Sequence, residues 1–266
     1  MFGAGIGIGS RKRERSAVCN RQDKVGGALQ GDRREVTARK CTGNPAMHPV
    51  RFTDVQEDHS RGQTMNLAII GAGNVGKSLG KRFQEAGHRV IWGVPNPSDA
   101  KYSELAVTDV TSAVRDAEVV ILAVPWAAAE QAVTSLRNLD GKIMIDVVNP
   151  VAEDFSGLVN LAGSSAGEQV ARWAANAKVV KAFNTVGNNV MDNPAFGSNK
   201  ATMLVAGDDP EAKSVVLKLA GDIGFSPVDA GPLSMSRYME ALAWIWISLA
   251  YKQGLGRDIA FQLISR

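Results

Sequence analysis

From Met65 to Arg266 the chain contains no cysteine and one histidine, His88. Both cysteines, Cys19 and Cys41, and the other two histidines, His48 and His59, lie in the first 64 residues. A disulfide scaffold, a cysteine nucleophile and a Cys/His metal cluster are thereby excluded from the longer stretch, and no metal site is expected there. Long apolar runs are also missing. The longest candidate, Ser234 to Ala250, falls short of the roughly 20 residues that a membrane-spanning helix needs. It reads as a core or dimer-facing helix, so a homodimer is expected and a membrane partner is not. The setting expected for such a chain is the cytoplasm.

Charge is unevenly spread. Residues 1–64 hold 12 Lys/Arg against 7 Asp/Glu, which leaves 18 basic and 20 acidic side chains for residues 65–266. The net charge of +3 is therefore the sum of +5 (12−7) on the first segment and −2 (18−20) on the rest, and the basic excess belongs to the first segment alone. That segment shows no sustained hydrophobic period and few large apolar residues, and is expected to be a disordered basic tail. Its Gly-rich opening precedes its basic residues, the reverse of a secretory signal, and its seven acids argue against a mitochondrial presequence. RKRER is a single charge run and gives no basis for a nucleic-acid partner. Met65, immediately before the first strand, is expected to be the functional start, with one folded domain over 65–266.

What is present begins at Met65. Asn66 to Ile70 is a short apolar run of the kind a buried parallel strand needs, GAGNVG follows at once, and Val75, Leu79 and Phe83 recur at helical spacing. Arg89 to Trp92 forms the next strand. In this strand–turn–helix–strand setting a GxGxxG pattern signals dinucleotide binding. Gly71 lets the chain turn off the strand, Gly73 keeps a side chain away from the pyrophosphate, and Gly76 lets the helix lie close to the sheet. With Ala72, Asn74 and Val75 between them, these residues open a helix whose N-terminal N–H groups and dipole favour phosphate.

Further strands are expected at Leu105–Val107, Glu118–Val124, Lys142–Val148 and Lys178–Phe183, with helices at Thr111–Ala117, Ala127–Leu136 and Ser164–Ala175. The pattern predicts a doubly wound parallel α/β sheet, a Rossmann unit of six strands in the order 3-2-1-4-5-6. A short α/β and helical extension follows. It comprises strands Ala201–Ala206 and Ser226–Asp229 around a helix Glu211–Ile223 capped by Asp208 or Asp209, then the helix Ser234–Ala250 and a last helix Asp258–Ile264.

In such sheets ligands bind beyond the carboxyl ends of the strands. Three ends collect there: Ala123-Val124-Pro125, Asn149-Pro150, and Ala182-Phe183-Asn184-Thr185. Each sets a small or polar residue after a buried run, and together they predict a nicotinamide site facing the glycine loop. After the second strand neither an acid for the ribose nor an arginine for a 2′-phosphate appears. Asn96 could bond either nucleotide and Lys101 could reach a phosphate, so NADP and NAD both stay open. Lys181 and Asp146 lie within strands. Lys181 reads as a catalytic lysine or as a snorkelling edge residue, and Asp146 as a group bonding backbone or capping a helix. His88 is expected on the face away from the ligand.

The stretches IIGAGNVGKSLG, VVILAVPW, IDVVNP, VVKAFNTVG and GFSPVDAGPLSMSRYMEALAWIW together resemble the NADPH-dependent deazaflavin-coenzyme reductases, a family related to the oxidoreductase domain of membrane ferric reductases. The resemblance implies NADP(H) seated on Gly71 to Gly76 and along Val124, Pro125 and Asn149. It further implies a deazaflavin or flavin as second redox partner near Ala182, Phe183 and Asn184, with hydride passing directly between the rings. Such a transfer depends on alignment more than on a general base. The family usually ends its second strand in a Ser-Arg pair that grips the 2′-phosphate, where this chain has Val94-Pro95. Two other readings stay open: flavin-mediated reduction of metal or quinone acceptors, and a non-catalytic dinucleotide sensor.

Overall fold

The computed structural model describes residues 63–266. The expectations for the basic tail, including Cys19, Cys41, His48 and His59, lie outside the described residues.

The chain runs β1 (Asn66–Ile70), α1 (Asn74–Glu85), β2 (Arg89–Gly93), β3 (Val107–Thr108), α2 (Val110–Arg115), β4 (Val119–Leu122), α3 (Trp126–Ser135), β5 (Ile143–Asp146), α4 (Ala166–Trp173) and β6 (Lys178–Lys181). It continues with α5 (Asn188–Asp192), β7 (Ala195–Phe196), β8 (Asn199–Lys200), β9 (Thr202–Gly207), α6 (Pro210–Asp222), β10 (Ser226–Gly231) and α7 (Ser236–Ile247). Eight strands form one sheet in the order β10-β9-β6-β5-β4-β1-β2-β3. The first six follow the expected 3-2-1-4-5-6 order and all run parallel. The extension reverses direction: β9 lies antiparallel to β6, and β10 is parallel to β9.

The continuous apolar runs are explained by helices on both faces. Leu67, Ile69, Val119, Ile121 and Ile145 point to one side, where α1 and α6 supply Leu79, Phe83, Val216 and Leu219. Ala68, Ile70, Val120, Leu122 and Met144 point to the other, against Ala129 and Val133 of α3 and Val170 of α4. Successive residues of a strand thus enter different cores, as a period of two requires. Asp209 caps α6, accepting from the Ala212 N–H at 2.8 Å, with Pro210 opening the helix.

Several boundaries differ from expectation. The third strand starts at Val107, because Leu105 is held in a turn by its N–H to the Tyr102 carbonyl. The helix α5 and the small hairpin β7–β8 carry too few residues to leave a periodic signal. The stretch foreseen as Ser234–Ala250 is a 3-10 turn (Leu233–Met235), then α7, then a wider π-type turn over Ser248–Lys252. Residues Asp258–Ile264 form no helix. Gly254 and Gly256 adopt φ of +73° and +76°, turning the chain back along β9. There the Phe261 carbonyl accepts from Thr202 N–H, Leu263 N–H donates to Thr202 Oγ1, and the Ile259 carbonyl accepts from Trp246 Nε1. Backbone groups satisfied by neighbours in this way gain nothing further from a helix.

Among the described residues no helix is long and apolar enough to cross a membrane. No group of three or more His, Cys, Asp or Glu residues among them could hold a metal ion.

Candidate dinucleotide and acceptor site

The glycine loop leaves β1 at Gly71, whose φ of +103° few side chains tolerate. A Cβ there would lie 2.5 Å from the Ala123 carbonyl oxygen, so the loop is drawn tightly onto the end of β4. At Gly76 a Cβ would meet the Gly71 carbonyl at 2.2 Å, so this glycine lets the first turn of α1 close on the loop. Gly73 differs from both. Its backbone is extended and a Cβ would meet nothing within 4 Å, which leaves a free volume over the N-terminus of α1. That volume and the unbonded N–H groups of the first turn fit a pyrophosphate. Below, the Trp92 indole fills the space beneath α1, its Nε1 donating to the Gly76 carbonyl at 3.0 Å.

Two clefts flank the start of α3. The first, about 430 Å³, is lined by Gly71, Gly93, Val94, Pro95, Asp109, Thr111, Val124 and Ala128 among others, beyond the carboxyl ends of β1 and β2. Asp109 and Thr111 were not foreseen as lining residues. Asp109 also caps α2, accepting from the Ser112 N–H. The second cleft, about 520 Å³, joins Pro125, Trp126 and Asn149 to Val151, Glu153, Phe155 and Val159. Both volumes fall within the usual span of small-molecule sites, about 300–1,000 Å³.

The remaining expected residues separate into two groups. Asn149 and Asn184 meet across the ends of β5 and β6. The Asn149 amide donates to the Asn184 carbonyl at 2.7 Å, and the Asn184 amide donates to Asn149 Oδ1 at 3.0 Å. Asn184 Oδ1 is buried without a partner, an acceptor oxygen that suits an amide or ring N–H. Val124 lines the first cleft and Pro125 the second, whereas Ala123 lines neither and packs against the core, and Pro150 is buried. Ala182 and Phe183 do not reach the cleft with their side chains. The ring of Phe183 packs in the core, edge-on to Phe83 and Phe225, because its φ of +61° turns it inward. Asn96 stands exposed in the turn after β2, outside the lining of either cleft. Lys101 pairs with Asp99 at 2.8 Å and lines a separate cleft with Lys77 and Lys81 across α1.

Lys181 is neither a snorkelling residue nor open to substrate. Its ammonium is fully buried, 2.8 Å from Asp146 Oδ2 and 2.9 Å from Glu240 Oε1, and also donates to the Val148 carbonyl. Burial alone would lower its pKa, but the two carboxylates outweigh that and hold it above the ordinary lysine value. Asp146 bonds backbone as foreseen, accepting from the Val148 N–H. Glu240 carried no signal in the sequence. From α7 it accepts the first N–H groups of α4, those of Ala166 and Gly167, at 3.0 and 3.1 Å. The cluster thus braces the strand ends that carry Asn149 and Asn184. His88, as expected, lies at the opposite rim, just before β2.

Residues 66–150, which contain the glycine loop and the first cleft, match the family described as NADP oxidoreductase, coenzyme F420-dependent. Over these residues the chain is similar to that family. Similar proteins include the F420-dependent NADP reductase of Methanocaldococcus jannaschii, 34% identical over 149 residues, 53% of this chain and 65% of that protein. Rat metalloreductase STEAP3 is 32% identical over 179 residues, 66% of this chain and 36% of its own length. The chain therefore spans less than two thirds of either relative. The crystal structure of a putative F420-dependent NADP reductase from Arthrobacter sp. FB24 superposes with a TM-score of 0.68 at 26% identity, covering 76% of this chain and all of that one. The family match ends at Pro150. It takes in the nucleotide loop and one wall of the second cleft, and leaves out the wall formed by residues 151–159.

Proposed function

We propose that the chain is an NAD(P)H-dependent oxidoreductase that passes hydride between NADP(H) and a deazaflavin or flavin ring. The observation that carries this reading is Gly73, a loop residue with open space above it at the N-terminus of α1, in a molecule whose strand ends carry two clefts sized for small ligands. The name of the methanogen relative supports the choice of nucleotide and acceptor. When bound, the reduced nicotinamide supplies a hydride, so that it is oxidised as the acceptor ring takes up two electrons and one proton. The chain's own part is placement. Gly71 to Gly76 would hold the pyrophosphate, and Val124 and Pro125 the nicotinamide edge. Asn149 and Asn184 would fix its amide through the unpartnered Oδ1. No side chain at the strand ends is needed to move a proton, which agrees with a site without cysteine or histidine.

A second reading, reduction of metal or quinone acceptors through a flavin, draws on the metalloreductase relative. A non-catalytic sensor would bind nucleotide without turnover, whereas an enzyme oxidises NADPH only when an acceptor is added. The homodimer expected from sequence belongs to the same proposal. Tyr238 and Ile245, two turns apart on α7, stand exposed on one side of it, and light scattering of the protein in solution tests the point.

The test is calorimetric titration with NADPH and NADH of the wild type and of Gly73→Val. A Cβ at this position would meet no protein atom within 4 Å and the φ of −77° suits an L side chain, so the fold should be unchanged while the cradle is filled. Affinity should fall at least about tenfold, ~1.4 kcal/mol. Equal affinity in the variant would remove the loop assignment, and a wild type that binds neither nucleotide would end the enzyme reading.

A further inference from the structure

Asp146 and Lys181 are the last paired residues of β5 and β6, opposite each other in the sheet. Three residues further along each segment stand Asn149 and Asn184. The two strand ends are thus tied twice, by a buried ion pair at 2.8 Å and beyond it by the paired amides. Between the ties lies Val148, buried and past the end of the ladder. Among the described residues no backbone group pairs with its N–H or its carbonyl. Both are taken by the ion pair: the N–H donates to Asp146 Oδ1 at 2.9 Å, and the carbonyl accepts from the Lys181 ammonium.

On the β6 side the backbone is strained. Phe183, between Lys181 and Asn184, holds a φ of +61°, a conformation that a bulky aromatic residue rarely adopts. Such a conformation persists only where its surroundings over-determine it, and such places cluster at ligand sites. Here the surroundings are the two ties and the core packing of the Phe183 ring. The unpartnered Asn184 Oδ1 follows directly. A buried ion pair is weak evidence for stability, since apolar residues of like volume often hold a fold as well or better. What apolar residues cannot do is bond the two peptide groups of Val148.

We propose that Lys181 and Asp146 are positioning residues for nicotinamide recognition: by holding the peptide groups of Val148 they fix Asn149, and through the amide pair they aim Asn184 Oδ1 at the nicotinamide carboxamide. This rests on the oxidoreductase reading above. Neither side chain touches the nucleotide, since both are fully buried. Glu240 holds the other side of the ammonium at 2.9 Å and ties it to the start of α4. Loss of the pair frees Asn149 and lets Phe183 relax, so the acceptor oxygen loses its aim. The glycine loop leaves β1, two strands away from β5, and keeps its form.

The test is calorimetric titration of the full chain with NADPH and with 2′-phospho-ADP-ribose, which keeps the phosphates of the nucleotide and lacks its nicotinamide. The wild type should favour NADPH about tenfold, the order expected of one hydrogen bond made to a buried acceptor. Asn184→Ala should bring that ratio to about one, and Lys181→Met should do the same, each with the affinity for the fragment unchanged within about twofold. The double variant should lose no more than either alone, because both substitutions remove one contact. Asp146→Asn leaves Lys181 paired with Glu240, so it keeps the fold where Lys181→Met unfolds, and its ratio should be about threefold. A wild-type ratio in Asp146→Asn, or in a folded Lys181→Met, would overturn the positioning role. So would an equal loss for both ligands, the mark of a structural role, and so would additive losses in the double variant. A wild type that binds both ligands equally would remove the amide placement and this inference with it. One that binds neither would end the nucleotide reading itself, and the inference with it.

Discussion

Lys181 closes β6 at the carboxyl rim of the sheet, and His88 stands just before β2 at the amino rim. Both side chains are basic and both are buried, but burial leaves them in opposite states. Desolvation lowers the pKa of each, because a charge loses its water. At Lys181 two carboxylates within 3 Å overcome that loss, and the pKa is raised. At His88 the one carboxylate, Asp222, is 3.6 Å away and already engaged with Lys218 at 3.0 Å, and the pKa is lowered. Distance and prior commitment of the partner, not depth, decide whether the buried base carries charge. The charged one lies beneath the strand ends that carry Asn149 and Asn184, and the neutral one lies at the opposite rim.

Lys181→Met tests the comparison most severely. The methionine would fill the space of the aliphatic stem but leave Asp146 and Glu240 facing each other without a cation. Breaking a buried pair from one side costs about 3–5 kcal/mol. Urea unfolding should show a loss of that size. A loss below about 1 kcal/mol would place the cluster with exposed pairs, which contribute little, and the contrast with His88 would fall.

Glu240→Gln sharpens the same contrast at smaller cost. Asp146 remains against Lys181, so the cation keeps a partner. What is lost is the charge on the bonds from Ala166 and Gly167 at the start of α4, and one of the two pairs to Lys181. Hydrogen bonds to charged groups contribute about 1.5–3 kcal/mol, so a destabilisation of ~2 kcal/mol is expected, less than for Lys181→Met. If the order of the two losses were reversed, Glu240 rather than Lys181 would be the centre of the cluster.

The same cluster shows where sequence reading stops. The strands of the first unit and their order were legible, because runs such as VVIL and IMID have no soluble explanation except burial on both faces. The glycine loop was legible for a similar reason: its spacing only fits a strand-to-helix turn. Glu240 was not, since a glutamate in an apolar helix reads as a solvated position until tertiary packing brings α4 onto it. Phe183 was expected beside the second cofactor only from the resemblance, and nothing in its sequence neighbourhood marks the positive φ that turns its ring into the core. Phe155 lies in a polar loop where neither periodicity nor composition marks it. The last seven foreseen helical residues failed because β9 and Trp246 supply their backbone partners instead.

His88 gives the smallest effect and the most specific one. Its imidazole is packed edge-on to Phe83, with Nδ1 accepting the Met65 N–H, and the charged groups facing it are Asp222 and Lys218 of α6. An unfolded histidine titrates near pH 6.5. The folded value is lower, so as pH falls the unfolded chain takes up the proton first. Stability from this site is therefore full above about pH 7 and is lost as pH falls through 6.5 toward the folded value. His88→Gln keeps an acceptor for the Met65 N–H and cannot titrate. The urea midpoint of the wild type should decline between pH 7.5 and 5.5 by more than that of the variant. Parallel declines would mean that His88 is as free to protonate folded as unfolded, and the difference between the two rims would reduce to Lys181 alone.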